Sequence, residues 1–231
     1  MKQAENKSST ASRLCSAREL VDKSHAGDVV FFRPRRGTTH NSSHSERFRR
    51  VFASIPAGEE GITHVAIVYV DSKTSKKYLV ETSFPQAEIH DLTLDLVLER
   101  SKSSRLLWFQ LHLQPEFNKT DVQKTIQRKF EASVREELKK AYAASNVIML
   151  GVAEWVPALR SVVSPILRSE DTSHCSSQVS RILDTIHVWR QDKDEKRVLF
   201  DVLPRELYRW IRDGEYHTKM WIFEDEVEII S

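Results

Sequence analysis

Cysteine is almost missing from this sequence: Cys15 and Cys175 are the only two among 231 residues. They stand far apart in unlike surroundings, which excludes a disulfide framework of the small secreted kind and favours a reducing, cytoplasmic setting. No CxxC pair occurs, so there is no thiolate zinc motif. Charge of one sign is lacking as well. Thirty-five basic against 33 acidic residues leave a formal net charge of +2, and no nucleic-acid partner is expected from such a balance. The local exception, RFRRV (47–51) with Arg33, Arg35 and Arg36, is short and reads as a solvated face. Long apolar runs are absent too. The first twenty residues have no signal-type apolar core, and NVIMLGVAEWVPAL (146–159) is too short for a membrane span and carries Glu154. No internal repeat is visible.

What is present is a pattern of strands followed by helices. Residues 1–24 read as a polar tail, with a short helix around Ser16–Lys23, and 25–231 as one domain large enough to bury a core. In AGDVVFFRP (26–34), Gly-Asp makes a turn, four apolar residues form a buried strand and Pro34 ends it. ITHVAIVYVD (62–71) and YLVETSF (78–84) predict an antiparallel hairpin, and SRLLWFQLHL (104–113) a further strand. Between the first two, 35–61 reads as a polar, turn-rich loop. The period then changes. Val122, Ile126, Phe130, Val134 and Leu138 recur every four residues, which predicts one apolar stripe on a long helix over 119–145. Prolines 157 and 165 break the apolar segment that follows. Pro204 suits the first turn of a helix in DVLPRELYRWI (201–211), and KMWIFEDEVEII (219–230) starts like a strand. The fold class is α+β.

Chemistry concentrates at SEDTSHCSSQVSRILDTI. Asp171, Thr172 or Ser173 can cap a helix there, which places Cys175 in the first turn. Unpaired backbone N–H groups and the helix dipole at that end favour a thiolate. Cys175, Val179, Ile182 and Ile186 share one face, so the sulfur points inward. Taken alone, this also fits a small core hydrophobe. A thiolate nucleophile needs a base. Of nine histidines, His25, His40, His44, His90 and His174 sit in polar stretches, whereas His64 opens an apolar strand behind Thr63. His187 lies about three turns from Cys175, at roughly 1.5 Å per residue, and cannot serve it. Glu81 is an acid in the middle of the strand paired with that of His64, a costly placement unless it is partnered or faces water. Such a residue orients an imidazole.

In order and type, GDVVFFR (27–33), THVAIVYV (63–70), YLVETSF (78–84), HCSSQVSRIL (174–183) and LPRELYRW (203–210) resemble the circularly permuted papain-like cysteine hydrolases, the YiiX/YaeF-type relatives of NlpC. The histidine strand precedes the cysteine helix, which is the permuted order. The resemblance implies a permuted papain-like (NlpC-like) fold, with a small, mostly antiparallel sheet packed on the cysteine-bearing helix; the long helix at 119–145 is then an insertion. It also implies Cys175 as nucleophile, His64 as base and Glu81 as the residue orienting the imidazole.

The expected function is a thiol-dependent hydrolase or acyltransferase that cleaves an amide, ester or thioester through a Cys175 acyl-enzyme. Neither a metal nor an organic cofactor is needed. The backbone N–H of Cys175 is the natural oxyanion donor, with Ser173, Ser176 and Thr63 as further candidates beside the substrate. That substrate is a small molecule, peptide or lipid carrying an acyl bond. The apolar 147–167 segment and the arginines near 33–50 leave lipid substrates and peripheral membrane contact open. The alternative is a catalytically silent binding module that keeps the fold, with Cys175 covered or mispaired. Retention of all three polar residues argues against it. An interaction protein using the charged helix at 119–145 is a weaker third reading.

Overall fold

Continuous apolar runs such as VVFF and HVAIVYV need cover on both faces of a sheet, and the fold supplies it. The computed structural model describes residues 12–35, 61–83, 86–111, 120–142, 172–185, 202–213 and 217–223. Among these, nine strands form one sheet: β1 (Ser12–Cys15), β2 (Val29–Pro34), β3 (His64–Val70), β4 (Lys77–Ser83), β5 (Gln86–Asp91), β6 (Ser104–Leu111), β7 (Ala141–Tyr142), β8 (Thr172–Ser173) and β9 (His217–Phe223). Their order is β1-β9-β6-β2-β3-β4-β5-β7-β8. All neighbours are antiparallel except β1 with β9 and β7 with β8. The described helices are α1 (Ala17–Lys23), α2 (Leu94–Ser103), α3 (Thr120–Glu137), α4 (Cys175–Thr185) and α5 (Pro204–Asp213). The chain is α+β, with a mostly antiparallel sheet.

Strand alternation divides the core in two. Val29, Phe31, Val65, Ile67, Leu107 and Phe109 face a cluster with α3, α4 and α5. Their neighbours Val30, Phe32, Ala66, Val68, Leu106 and Trp108 face a second cluster with α1 and α2. A period of two in the strands thus serves two helical layers. Trp108 is fully buried, and its indole N–H donates to the Asp28 carboxylate at 2.9 Å. Asp28 also accepts from the His25 backbone N–H at 2.9 Å, closing the turn before β2. Within that turn Gly27 takes φ 92°, a region that favours glycine, and its N–H donates to the Val68 carbonyl at 2.9 Å. Trp108→Phe is expected to lower stability by about 1–3 kcal/mol, because it leaves the fully buried Asp28 one donor short. Urea denaturation of the two proteins measures this difference.

Residues 12–24, read from the sequence as tail, carry β1 and α1. The short helix appears where expected, with Ser16 and Glu19 forming a reciprocal capping box. The helix predicted over 119–145 ends at Glu137 and is followed by the short strand β7. Of its stripe, Phe130 and Val134 are buried, and Ile126 and Leu138 pack against the same cluster. Burial of Phe130 and Val134 contributes roughly 1.5–3 kcal/mol each. Most of the 35–61 loop, the basic run 47–51, the prolines at 157 and 165 and the 147–167 segment lie outside the described residues, as do His40, His44 and His187.

Candidate active site

The first residue of α4 is Cys175 itself, and the helix cap is His174 rather than Asp171, Thr172 or Ser173. Thr172 and Ser173 belong to β8, and Asp171 is not among the described residues. The His174 carbonyl accepts the first helical bond, from the Gln178 N–H at 2.9 Å. Its own N–H is met by the Ser177 hydroxyl at 3.0 Å. The Ser177 side chain thus closes the entry to the helix from one side. As the spacing predicted, Cys175, Val179 and Ile182 face one core cluster.

His64 and Glu81 come to the same place from the sheet. Ala66 is opposite Glu81 in the β3–β4 ladder, so His64 is its diagonal neighbour on the same face. His64 Nε2 lies 2.5 Å from Glu81 Oε2. That leaves Nδ1 for the sulfur, and the Cys175 side chain is hydrogen-bonded to His64. Alternation puts His64 on the α2 side of the sheet, beside Phe32 at a ring separation of 5.2 Å. Cys175 belongs to the opposite layer. Their contact therefore runs round the end of β3, where His64 is the first strand residue.

Glu81 is fully buried, and its carboxylate is divided between partners. Oε2 takes His64; Oε1 takes the Arg100 guanidinium from α2 and His90 of β5 at 3.3 Å. Burial would raise the Glu81 pKa, but hydrogen bonds from His64 and His90 and the charge of Arg100 hold it well below the usual carboxylate range. For Cys175, burial pushes the thiol up. The His64 charge, with hydrogen bonds from His174 and His64, overcomes this and brings it down to about 5. Burial alone would lower His64, whereas the Cys175 and Glu81 anions raise it to about 9. Both shifts favour a thiolate–imidazolium pair over a neutral thiol and imidazole.

The other expected contributors divide. Thr63 is half-buried, and its hydroxyl donates to the Phe32 carbonyl at 3.3 Å, tying the start of β3 to β2. Ser176 is not a free oxyanion donor as expected. It is fully buried and gives its one proton to the Val202 carbonyl at 2.6 Å. Its oxygen therefore accepts from His174 Nδ1, 3.2 Å away, which sets Nδ1 of that ring as protonated. Ser173 ends β8, two residues before Cys175. Three residues that touch the constellation were not singled out from the sequence: His174, His90 and Arg100. His90 is half-exposed, also contacts Glu88 at 3.1 Å, and is raised in pKa mainly by its hydrogen bond to Glu81. Glu81, Glu88 and His90 place ligand atoms within 4.8 Å of one another. A cation there would have to displace the Arg100 guanidinium from Glu81, so the donor set fits the hydrogen-bonded network better than a metal.

Among the described residues, no helix is long and apolar enough to cross a membrane. No family model matches the sequence, and no curated protein matches it.

Proposed function

We propose that the chain is a thiol-dependent hydrolase or acyltransferase with a permuted papain-like fold, in which Cys175 is the nucleophile, His64 the base and Glu81 the residue that orients it. One observation carries this reading: a cysteine at a helix start touches an imidazole whose other nitrogen is bound to a buried carboxylate. In the first step the Cys175 thiolate attacks the carbonyl carbon of an amide, ester or thioester. A C–S bond forms, and the carbonyl electron pair moves to oxygen beside the Cys175 backbone N–H, at the positive end of α4. The electron pair then returns, the bond to the leaving group breaks, and the His64 imidazolium gives that group its proton. In the second step neutral His64 takes a proton from water or another acceptor, which attacks the acyl carbon and expels the thiolate. Glu81 keeps Nε2 occupied throughout, so proton traffic is confined to Nδ1.

A second reading has one observation in its favour. Cys175 is only 7% exposed, as a silent binding module with a covered thiol requires. The two are separated by iodoacetamide labelling of Cys175 between about pH 4 and 10. An active pair gives a reactive thiol whose labelling falls as pH drops through about 5, where the thiolate is protonated. Turnover of an acyl substrate adds a second limb and falls as pH rises through about 9, where His64 loses the proton it must donate. Slow labelling that rises only above about pH 8, the range of an ordinary thiol, would sink the enzyme reading and leave the binding module.

A further inference from the structure

Two buried anions, the Cys175 thiolate and the Glu81 carboxylate, meet at the same ring, that of His64. We propose that Arg100 is the counter-ion that allows Cys175 to stay ionised: its guanidinium cancels Glu81, so the charge of His64 is left for the sulfur. This rests on the thiolate–imidazolium reading above and adds to it a residue that touches neither sulfur nor substrate.

The geometry supports a division of labour on one carboxylate. Arg100 binds Oε1 and His64 binds Oε2, so neither displaces the other. Among the described residues, the charged and titratable groups around the pair are His174 before α4, His64 on β3, Glu81 on β4, Glu88 and His90 on β5, and Arg100 on α2. His90 is a poor substitute for Arg100. It is 31% exposed, stands 3.3 Å from Oε1 and shares its ring nitrogen with Glu88 at 3.1 Å. Only Arg100 is permanently charged. Without it, carboxylate and thiolate would compete for one imidazolium in a water-poor site. The thiolate, as the more basic anion, would take the proton.

The placement of Arg100 is built into the fold. Thr93 caps α2, its hydroxyl accepting from the Leu96 N–H at 3.2 Å, and Val97 is buried in the core beneath β2 and β6. Arg100 follows one turn later, facing the sheet where Glu81 emerges.

The test is the pH midpoint of Cys175 labelling by iodoacetamide in the full chain, with circular dichroism to confirm folding. Arg100→Met is expected to raise the midpoint by about 1–2 pH units, the usual reach of one adjacent charge. Arg100→Lys keeps the charge and is expected to stay near wild type. Glu81→Gln combined with Arg100→Met removes both charges and is expected to match Glu81→Gln alone, because Glu81 itself supports the His64 imidazolium and its loss moves both variants alike. A residue that merely packs would shift the midpoint by a similar amount with or without Glu81. An unchanged midpoint in folded Arg100→Met overturns the proposal, as does a double variant displaced from Glu81→Gln as far as Arg100→Met is from wild type. If Arg100→Met fails to fold, Arg100→Lys and the double variant decide: a midpoint raised in Arg100→Lys over wild type, or in the double variant over Glu81→Gln, overturns it, and no shift in either comparison upholds it. A wild-type protein with no reactive thiol near neutral pH would instead remove the underlying reading, a different outcome from either.

Discussion

Cys175→Ala is expected to lower turnover of an acyl substrate on the order of 10⁴–10⁶-fold, since the nucleophile of such a site acts as a unit with its base. The check is acyl-enzyme formation with an activated ester, followed by mass spectrometry of the intact chain. His64→Ala should approach the same loss in turnover but a much smaller one in labelling, and the difference is instructive. With a pKa of about 5, Cys175 is mostly ionised at pH 6, whereas a thiol at its ordinary 9.0 is not. The thiolate fraction then falls about 10³-fold. Nucleophilicity per thiolate rises with basicity, however, with a Brønsted slope of about 0.4–0.5, which returns roughly 10²-fold over that span. The net loss in labelling at pH 6 is about tenfold; it should vanish at about pH 7 and become a gain above about pH 9, where both thiols are ionised and the more basic thiolate reacts faster. Turnover has no such compensation, because the leaving group still needs its proton. Equal losses in both assays would mean that His64 acts only by shaping the fold.

Glu137→Ala is expected to cost about 3–5 kcal/mol, the usual result of removing one partner from a buried ion pair. Glu137 is the last residue of α3 and is 3% exposed. Arg181 of α4 binds it with both arms, Nε at 2.8 Å and Nη2 at 2.7 Å, and Lys140 adds a third contact at 2.8 Å. Deleting the carboxylate takes the bidentate partner from Arg181 and a contact from Lys140, both part-buried between these helices. Glu137→Gln, which keeps the shape, should lose less, because the amide can still accept one of those hydrogen bonds. Chemical denaturation of the three proteins gives the difference directly. A loss below about 1 kcal/mol, the scale of an exposed pair, would show that Arg181 and Lys140 reach water when Glu137 is gone. The bridge joins α3 to α4, the helix that carries Cys175, so labelling rates should be recorded on the same samples.

Legibility in the sequence followed the physics of burial. VVFF, HVAIVYV and YLV could be read as strands because both sheet faces are covered, which lets apolar residues run without interruption. The inward face of α4 and most of the stripe of α3 were visible through their spacing for the same reason. Glu81 was visible as an anomaly: an acid inside an apolar strand must have partners. Which partners could not be read. Arg100 and His90 reach Glu81 only once β4, β5 and α2 have folded together, and QAEIHD and LDLVLERSKS carry no local mark of it. His174 was missed because SEDTSHCSS has the polarity of an exposed loop. Ser176 misled for the related reason that a serine beside a nucleophile suggests a donor into the site; contact with Val202, far along the chain, takes its proton elsewhere. The ends of α3 and the cap of α4 were set by the short strands β7 and β8, two residues each, below the length at which alternation can be recognised.

The sheet order has a consequence for how the chain reaches this state. β1 pairs with β9 along Ser12–Cys15 and Met220–Phe223, segments roughly 200 residues apart in sequence, and β9 in turn lies against β6. The β2–β3–β4–β5 meander needs only nearby contacts and can form while the chain is still being made, whereas the β1 edge must wait for a segment synthesised long after it. Non-local pairings of this kind are slow, because loop closure must precede any gain from contact. During that interval β6 presents an unpaired apolar edge, a template for another chain. The vulnerable moment for this protein therefore comes between completion of the meander and arrival of β9, and crowding by nascent copies would do most harm then.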